Sequence, residues 1–207
     1  MSDYQTLLAT LNRFADEAKI RPLTMGEAID SLDGEGFAFI AIILALPFLQ
    51  PIPLGPLTVI GGVTFAALGL QLVRGNTAPI LPRRLREVAM SEKTWRILVT
   101  VCKKIMGFCH QFAKPRLPQL ITGKHGSHIG GGILIAAGAL MAIPFGVLPF
   151  NNTLPALTIL FYGFAELEDD GVMILIAVFW LIVTVVYFSA FFTALWLFGR
   201  QALTHFL

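Results

Sequence analysis

The sequence predicts an all-α integral membrane protein: two repeated, proline-broken helical hairpins, amphipathic interfacial helices and one long C-terminal transmembrane helix. Composition is the first reason. Apolar residues make up 56% of the 207 and charged residues 14%, where a soluble domain has about 25% charged residues. The second is residues 172–198, an unbroken apolar run long enough to span a bilayer with tilt. The third is a pattern that occurs twice: an apolar run, a proline-studded break and a second apolar run. Pro47, Pro51, Pro53 and Pro56 punctuate the first copy, and Pro144, Pro149 and Pro155 the second. Proline locks φ and lacks an N–H, so such a cluster stops a helix rather than bending it. Inside lipid, the freed backbone groups must be covered by protein or face a wet cavity. The two breaks are therefore the first functional candidates.

Residues 1–35 read as cytoplasmic amphipathic helices. Tyr4, Leu7, Leu8, Leu11 and Phe14 recur at helical spacing, and Arg21-Pro22 ends the stripe. Thr24 and Glu27 have capping-box spacing and open a short helix through about Leu32. The membrane domain, 36–207, begins with repeat one, 36–74. Its arms, 36–49 and 57–73, are roughly 20 and 25 Å long at about 1.5 Å per residue. Two reduced crossings and one re-entrant hairpin both fit these lengths. Gly61, Gly62, Gly69 and Gly130 to Gly132 would let helices approach closely, either within the chain or across a homodimer. In the basic amphipathic linker, 75–128, Ser91 opens a helix to about Ala113. Its apolar face is Trp95, Leu98, Cys102, Ile105, Cys109 and Phe112, and the mid-helix Lys103 and Lys104 make it interfacial rather than spanning. Gly123 to His128 reads as a flexible turn. Repeat two, 129–171, has arms 129–143 and 156–165 and closes on the acidic run Glu166 to Asp170. The C-terminal span, 172–198, has Trp180, Trp196 and Arg200 as interface anchors.

Eleven of the 15 Lys and Arg lie within 74–124. Short basic segments beside spans stay cytoplasmic, so the middle segment is placed there, with both hairpins entering from that side. If 95–113 crossed instead, the hairpins would become an inverted pair. Arg83, Arg84, Arg86, Lys103 and Lys104 are candidates for anionic lipid head groups. A basic stretch lying between membrane segments points to lipid and not to nucleic acid. The start of the chain has no basic n-region or apolar h-region, so no cleaved signal peptide is expected.

The breaks carry polar side chains in apolar surroundings. Asn151, Asn152 and Thr153 lie between Pro149 and Pro155, and Gln50 between Pro47 and Pro56. Thr58 and Thr158 take like places in the arms that follow, and Gln71 marks the exit of repeat one. Half-helix ends at a bilayer midplane expose N–H and C=O groups that hold substrates or ions. The same residues would also make ordinary turns at a membrane surface, and depth separates the two readings. Glu166 is the acid nearest an apolar arm, able to bind a cation or relay a proton. Cys102 and Cys109 are seven apart on a helix, too far to bridge. Together with His110 they lack metal-site spacing, and His125 and His128 have no third ligand. With no nucleophile elbow, metal cluster or phosphate loop, no metal or cofactor is assigned and the chain reads as a non-enzyme.

A family resemblance rests on the breaks and their flanks. Ala45-Leu46-Pro47, Pro51, Pro53 and Gly55 lead on to Gly69-Leu70-Gln71-Leu72. Ile143-Pro144-Phe145-Gly146, Leu148-Pro149 and Leu154-Pro155-Ala156 are followed by the Asp170-Gly171 turn. Ile29-Asp30-Ser31-Leu32, Gly34-Glu35-Gly36-Phe37 and Ile80-Leu81-Pro82 add to the order. Across roughly residues 24–195 the chain resembles the exopolysaccharide-synthesis ExoD family of bacterial membrane proteins. The resemblance implies a multi-pass protein of the bacterial inner membrane with a role in making or exporting exopolysaccharide. It implies membrane lipids and polysaccharide-synthesis machinery as partners, and no catalytic residues. The expected function is a small transporter or flippase-like protein with its polar site at the breaks. The alternative is a non-transporting accessory that recruits a synthesis enzyme or anionic lipid through the basic segment.

Overall fold

The computed structural model describes residues 3–30, 36–50, 54–80, 83–87, 89–110, 116–144 and 148–206. Among the described residues the regular structure is helical apart from one two-residue ladder and an isolated bridge between Arg116 and Asp170. In order come α1 (Asp3–Ile20), β1 (Leu23–Thr24), α2 (Met25–Asp30), α3 (Gly36–Ala45), α4 (Pro56–Val73), α5 (Arg83–Arg86), β2 (Ala89–Met90), α6 (Glu92–His110), α7 (Gly123–Met141), α8 (Thr153–Glu168) and α9 (Gly171–Phe206). Short 3-10 turns at Leu46–Leu49 and Pro118–Leu120 extend α3 and precede α7.

Four helices form the centre of the molecule. α4 lies antiparallel on α7: a Cβ on Gly62 would meet Gly138 and Ala142 backbone, and one on Gly69 would meet the Gly131 carbonyl. Five of the six buried residues of α4, Thr58, Gly62, Phe65, Gly69 and Leu72, recur every four and three positions, with Leu68 beside them, the spacing of a helix seam. α3 lies in the same way on α8, where Gly163 makes room for Ile42 and the Ala38 carbonyl. Nine of the ten residues of α3 are buried, as its all-round apolar sequence requires. α9 then folds back along α8. Gly62, Gly69, Gly130, Gly131 and Gly138 are all occupied by contacts within this chain, whereas Gly132 faces open space.

The amphipathic segments join as a cap at the end of the bundle where α3 begins. α1 buries Leu11, Phe14 and Ala18 against α6. Trp95 of α6 is fully buried, packs at a tilt against Phe14 with ring centres 5.6 Å apart, and donates its indole N–H to the Leu23 carbonyl at 3.0 Å. Phe14 in turn meets Phe39 of α3 at 6.2 Å. The apolar face of α6, expected to lie on lipid, is therefore occupied by α1 at Trp95 and Val99. β1 and β2 form an antiparallel ladder, Leu23 opposite Met90, that ties the two halves of the cap.

Two further differences from the sequence reading lie at α7 and α9. Gly123 to His128, expected as a flexible turn, forms the first turns of α7. Ser127 Oγ donates to the Gly123 carbonyl, and His128 Nδ1 lies 2.5 Å from the Lys124 carbonyl, so these polar side chains are satisfied by the helix itself. Gly126 is needed there because the Ile121 backbone fills the place of a side chain. α9 continues to Phe206, past the expected end at 198.

The capping box at α2 forms as its spacing predicts. Thr24 Oγ1 accepts from the Glu27 amide at 3.2 Å, and Glu27 Oε2 accepts from the Thr24 amide at 3.0 Å. The Thr24 amide bond, then the Arg21 guanidinium at 2.6 Å, lower the Glu27 pKa from 4.5 to about 2. A depressed carboxylate pKa stabilises the fold above its unfolded value and loses that contribution as pH falls through the folded one. The cap should thus loosen between about pH 4.5 and 2, with faster amide exchange at Thr24. Glu27→Gln should show the faster exchange already at neutral pH and lose this acid dependence. An unchanged acid profile in the variant would assign it to another group.

Among the described residues, two helices are long and apolar enough to cross a membrane: Pro56–Val73 and the first 27 residues of α9, Gly171–Leu197. Both expose large apolar side chains. Leu57, Ile60, Val63 and Leu70 form a stripe on α4, and Leu175, Phe179, Ile182, Val186, Leu195 and Trp196 lie along α9.

Candidate substrate site at the paired helix breaks

The fold brings the two breaks into direct contact. Thr153, the first residue of α8, donates its hydroxyl at 3.1 Å to the carbonyl of Gln50 in the other break. The pairing follows from the packing beneath it, since α4 on α7 and α3 on α8 put all four break-side helix ends at one end of the bundle. In break one the 3-10 turn folds Phe48 back over Gly61, edge-on to Phe65 at 6.2 Å. Gly55, at φ +57, then turns the chain into Pro56. Only glycine takes that region freely, and proline suits a first helical position. Pro51 and Pro53 lie outside the described residues.

Break two is held by α9. Tyr187 donates its hydroxyl to the Pro149 carbonyl at 2.6 Å. Phe150 follows at φ +58 with its ring about half exposed, and its carbonyl accepts from the Leu154 amide at 3.2 Å. Asn151 and Asn152 are buried, at 5% and 1% exposure. Thr158 is fully buried and bonds within its helix to the Leu154 carbonyl at 3.3 Å. Thr58 is equally enclosed, at 3% exposure, yet its hydroxyl finds no partner among the described residues. Pro47, Pro56, Pro144 and Pro149 are exposed and Pro155 is buried.

The open half-helix ends expected from the sequence are partly closed. The Leu57 and Thr58 amides bond to the Leu54 and Gly55 carbonyls, and the Leu154 and Ala156 amides to the Phe150 and Asn152 carbonyls. Side chains therefore carry most of the polarity of the site. Residues 36–73 and 129–165 contain no Asp, Glu, Lys, Arg or His, so the site is polar without being charged.

Gln50, Thr58, Asn151, Asn152, Thr153 and Thr158 gather at this end. Gln71 and Glu166 do not. Gln71 sits near the far end of α4, where its amide bonds both the N–H and the carbonyl of Ile80, at 2.6 and 3.1 Å. Glu166 is near the far end of α8, one turn beyond Tyr162, whose buried ring covers Gly130. Asp170 caps α9, accepting from the Val172 amide at 2.9 Å. Of the basic candidates, Arg86 pairs with Asp30 at 2.5 Å and Lys103 bonds Asn12. Arg83 and Lys104 are exposed, and the Arg84 side chain lies outside the described residues. Sequence reasoning missed Tyr187. Its signal was a phenol within the apolar run 172–198, a group that seeks a hydrogen-bond partner when buried.

A family model and one curated relative match nearly the whole chain. The family model described as exopolysaccharide synthesis, ExoD, matches residues 7–190. Protein ExoD of Rhizobium meliloti is 29% identical over 206 residues, covering 98% of this chain and 83% of that protein. An uncharacterized protein of Synechocystis sp. is 28% identical over 137 residues, 66% of this chain and 63% of that protein. No solved structure matches. With a family model spanning all but the ends of the chain, this protein belongs to the exopolysaccharide-synthesis ExoD family.

Proposed function

We propose that this protein is embedded in the bacterial inner membrane and serves exopolysaccharide synthesis or export by handling a substrate at the paired breaks, as a small transporter or flippase. The observation that carries the reading is the bond between Thr153 and the Gln50 carbonyl. It joins two proline breaks, distant in sequence, around buried Thr58, Asn151 and Asn152 in otherwise apolar surroundings. Broken helices of this kind are tolerated in lipid where they line a protected site. The apolar stripes on α4 and α9 support the membrane setting, because a soluble monomer rarely exposes so much contiguous apolar surface. The repeat reading draws on the matched contacts of Gly62 with Gly138 and Ala142, and of Gly163 with Ala38 and Ile42. Both hairpins then point the same way, as two copies of one unit.

The accessory reading keeps one observation in its favour: Arg83, Lys93, Arg96 and Lys104 are exposed on the cap. Production of exopolysaccharide in a deletion strain separates the two. Gln50→Ala and Asn152→Ala should each lower production about tenfold, the scale of ~1.4 kcal/mol at the site, at unchanged protein abundance. Reversing Arg83 and Arg96 to Glu should leave most of it. The opposite pattern would transfer the function to the cap.

A further inference from the structure

The depth of the breaks can be read against α9, which runs past them. α9 starts at the cap end, where the Gly171 amide bonds the Arg116 carbonyl at 2.7 Å. Its Tyr187 hydroxyl reaches Pro149. A helical side chain leans toward its own N-terminus, so break two is level with residue 187 or slightly before it. From Gly171 to Tyr187 is ~24 Å at about 1.5 Å per residue. Apolar residues continue to Leu197, a further ~15 Å by the same rise, and Phe192, Leu195, Trp196 and Leu197 are exposed along it. Two shorter rulers agree. α4 measures ~27 Å, and α7 measures ~18 Å from Ile129, its first residue beyond His128, to Met141. The α7 stretch falls short of a hydrocarbon layer of about 30 Å, and α4 is at the short end of the spanning range. With break two level with Tyr187 and apolar helix continuing beyond it to Leu197, the hairpins turn back inside the layer before α9 ends.

The groups available at that depth select a kind of ligand. There is no charged side chain to balance an anion or a cation. There are a buried Thr58 hydroxyl without a partner among the described residues and the exposed amide of Gln50, while the buried Asn151 and Asn152 are already engaged within the protein. In the other break Phe150, next in sequence to Asn151, holds φ +58 and leaves 48% of its surface open. That backbone region is an outlier for a bulky residue, and such outliers cluster at ligand sites. An exposed aromatic ring in one break, joined through Thr153 to the hydroxyl and amide groups of the other, suits a ring with apolar C–H faces and hydroxyl edges. We infer that the paired breaks form a re-entrant site for an uncharged, hydroxyl-bearing head group, reached from the membrane face opposite the cap.

The inference rests on the membrane-site reading above, and it is tested without exopolysaccharide production, so the two can fail separately. The protein, with Cys102→Ser and Cys109→Ser, is placed in oriented vesicles carrying either Gln50→Cys or, as a cap marker, Arg83→Cys. An impermeant thiol reagent is applied from each side. Position 50 should label from the face opposite the one that labels position 83. Octyl glucoside below its micelle concentration should slow that labelling several-fold, octyl phosphate should not, and added Phe150→Ala should remove the effect. Labelling of both positions from one face would overturn the depth and direction. Equal slowing by octyl phosphate would overturn the uncharged class, and slowing by neither, or slowing that survives Phe150→Ala, would overturn the site.

Discussion

Replacing Gly62 by alanine is expected to force α4 away from α7 and to cost about 1–3 kcal/mol, the usual range for overpacking. A Cβ there would lie 2.5 Å from both the Ala142 nitrogen and the Gly138 oxygen. One on Gly138 would lie 2.6 Å from the Ala66 nitrogen and the Gly62 oxygen. The obstacles are backbone atoms, so no rotamer change relieves them. Because one separation of the helices serves both sites, Gly62→Ala and Gly138→Ala should be less than additive. Gly132→Ala is the control. Nothing stands within 4 Å of its added carbon, and removing a mid-helix glycine should gain about 0.5–1 kcal/mol. Thermal midpoints in detergent would rank the variants. A wild-type midpoint for Gly62→Ala would mean that the helices are not in backbone contact.

The second large effect is expected at Trp95. Truncation to alanine removes a fully buried indole and should cost about 3–5 kcal/mol. It also breaks a line of three rings, Trp95, Phe14 and Phe39, that fixes the cap to α3. The cap should come loose as a unit, with α1 and α6 cut early in limited proteolysis and α7 to α9 still protected. Trp95→Phe keeps most of the ring packing but leaves the Leu23 carbonyl without its donor. Its cost should be smaller, about 1–3 kcal/mol for a buried unsatisfied group. If both variants digest like the parent, the cap is held elsewhere.

Local features were legible in the sequence where one residue type has one strong conformational preference. Prolines marked both breaks, Thr24 and Glu27 announced their cap, and α9 was visible from its unbroken apolar run. Pairing between segments was not legible in the same way. Gly61, Gly62, Gly69 and the Gly130 to Gly132 run permit close approach but do not name a partner, so packing within the chain and packing between copies read alike. The stripe on α6 had the spacing of an interfacial helix, and only the fold supplies α1 to cover it. At the site, the polar residues beside the prolines were visible because they interrupt apolar runs. Gln71 interrupts one too, but its amide is used to fasten Ile80 at the far end of α4. Residue type alone does not separate a ligand contact from a loop clamp.

The burial of α3 has a consequence for how the chain is made. Its chief cover, α8, begins at Thr153, more than a hundred residues after α3 ends at Ala45. At about 5–20 residues per second, the ribosome needs roughly 5–20 seconds to supply it. Throughout that interval a short, wholly apolar segment has emerged without its native neighbour. Insertion machinery or a holding factor must shelter it, and chains halted before Thr153 should be cleared by proteases rather than accumulate as a stable half-protein.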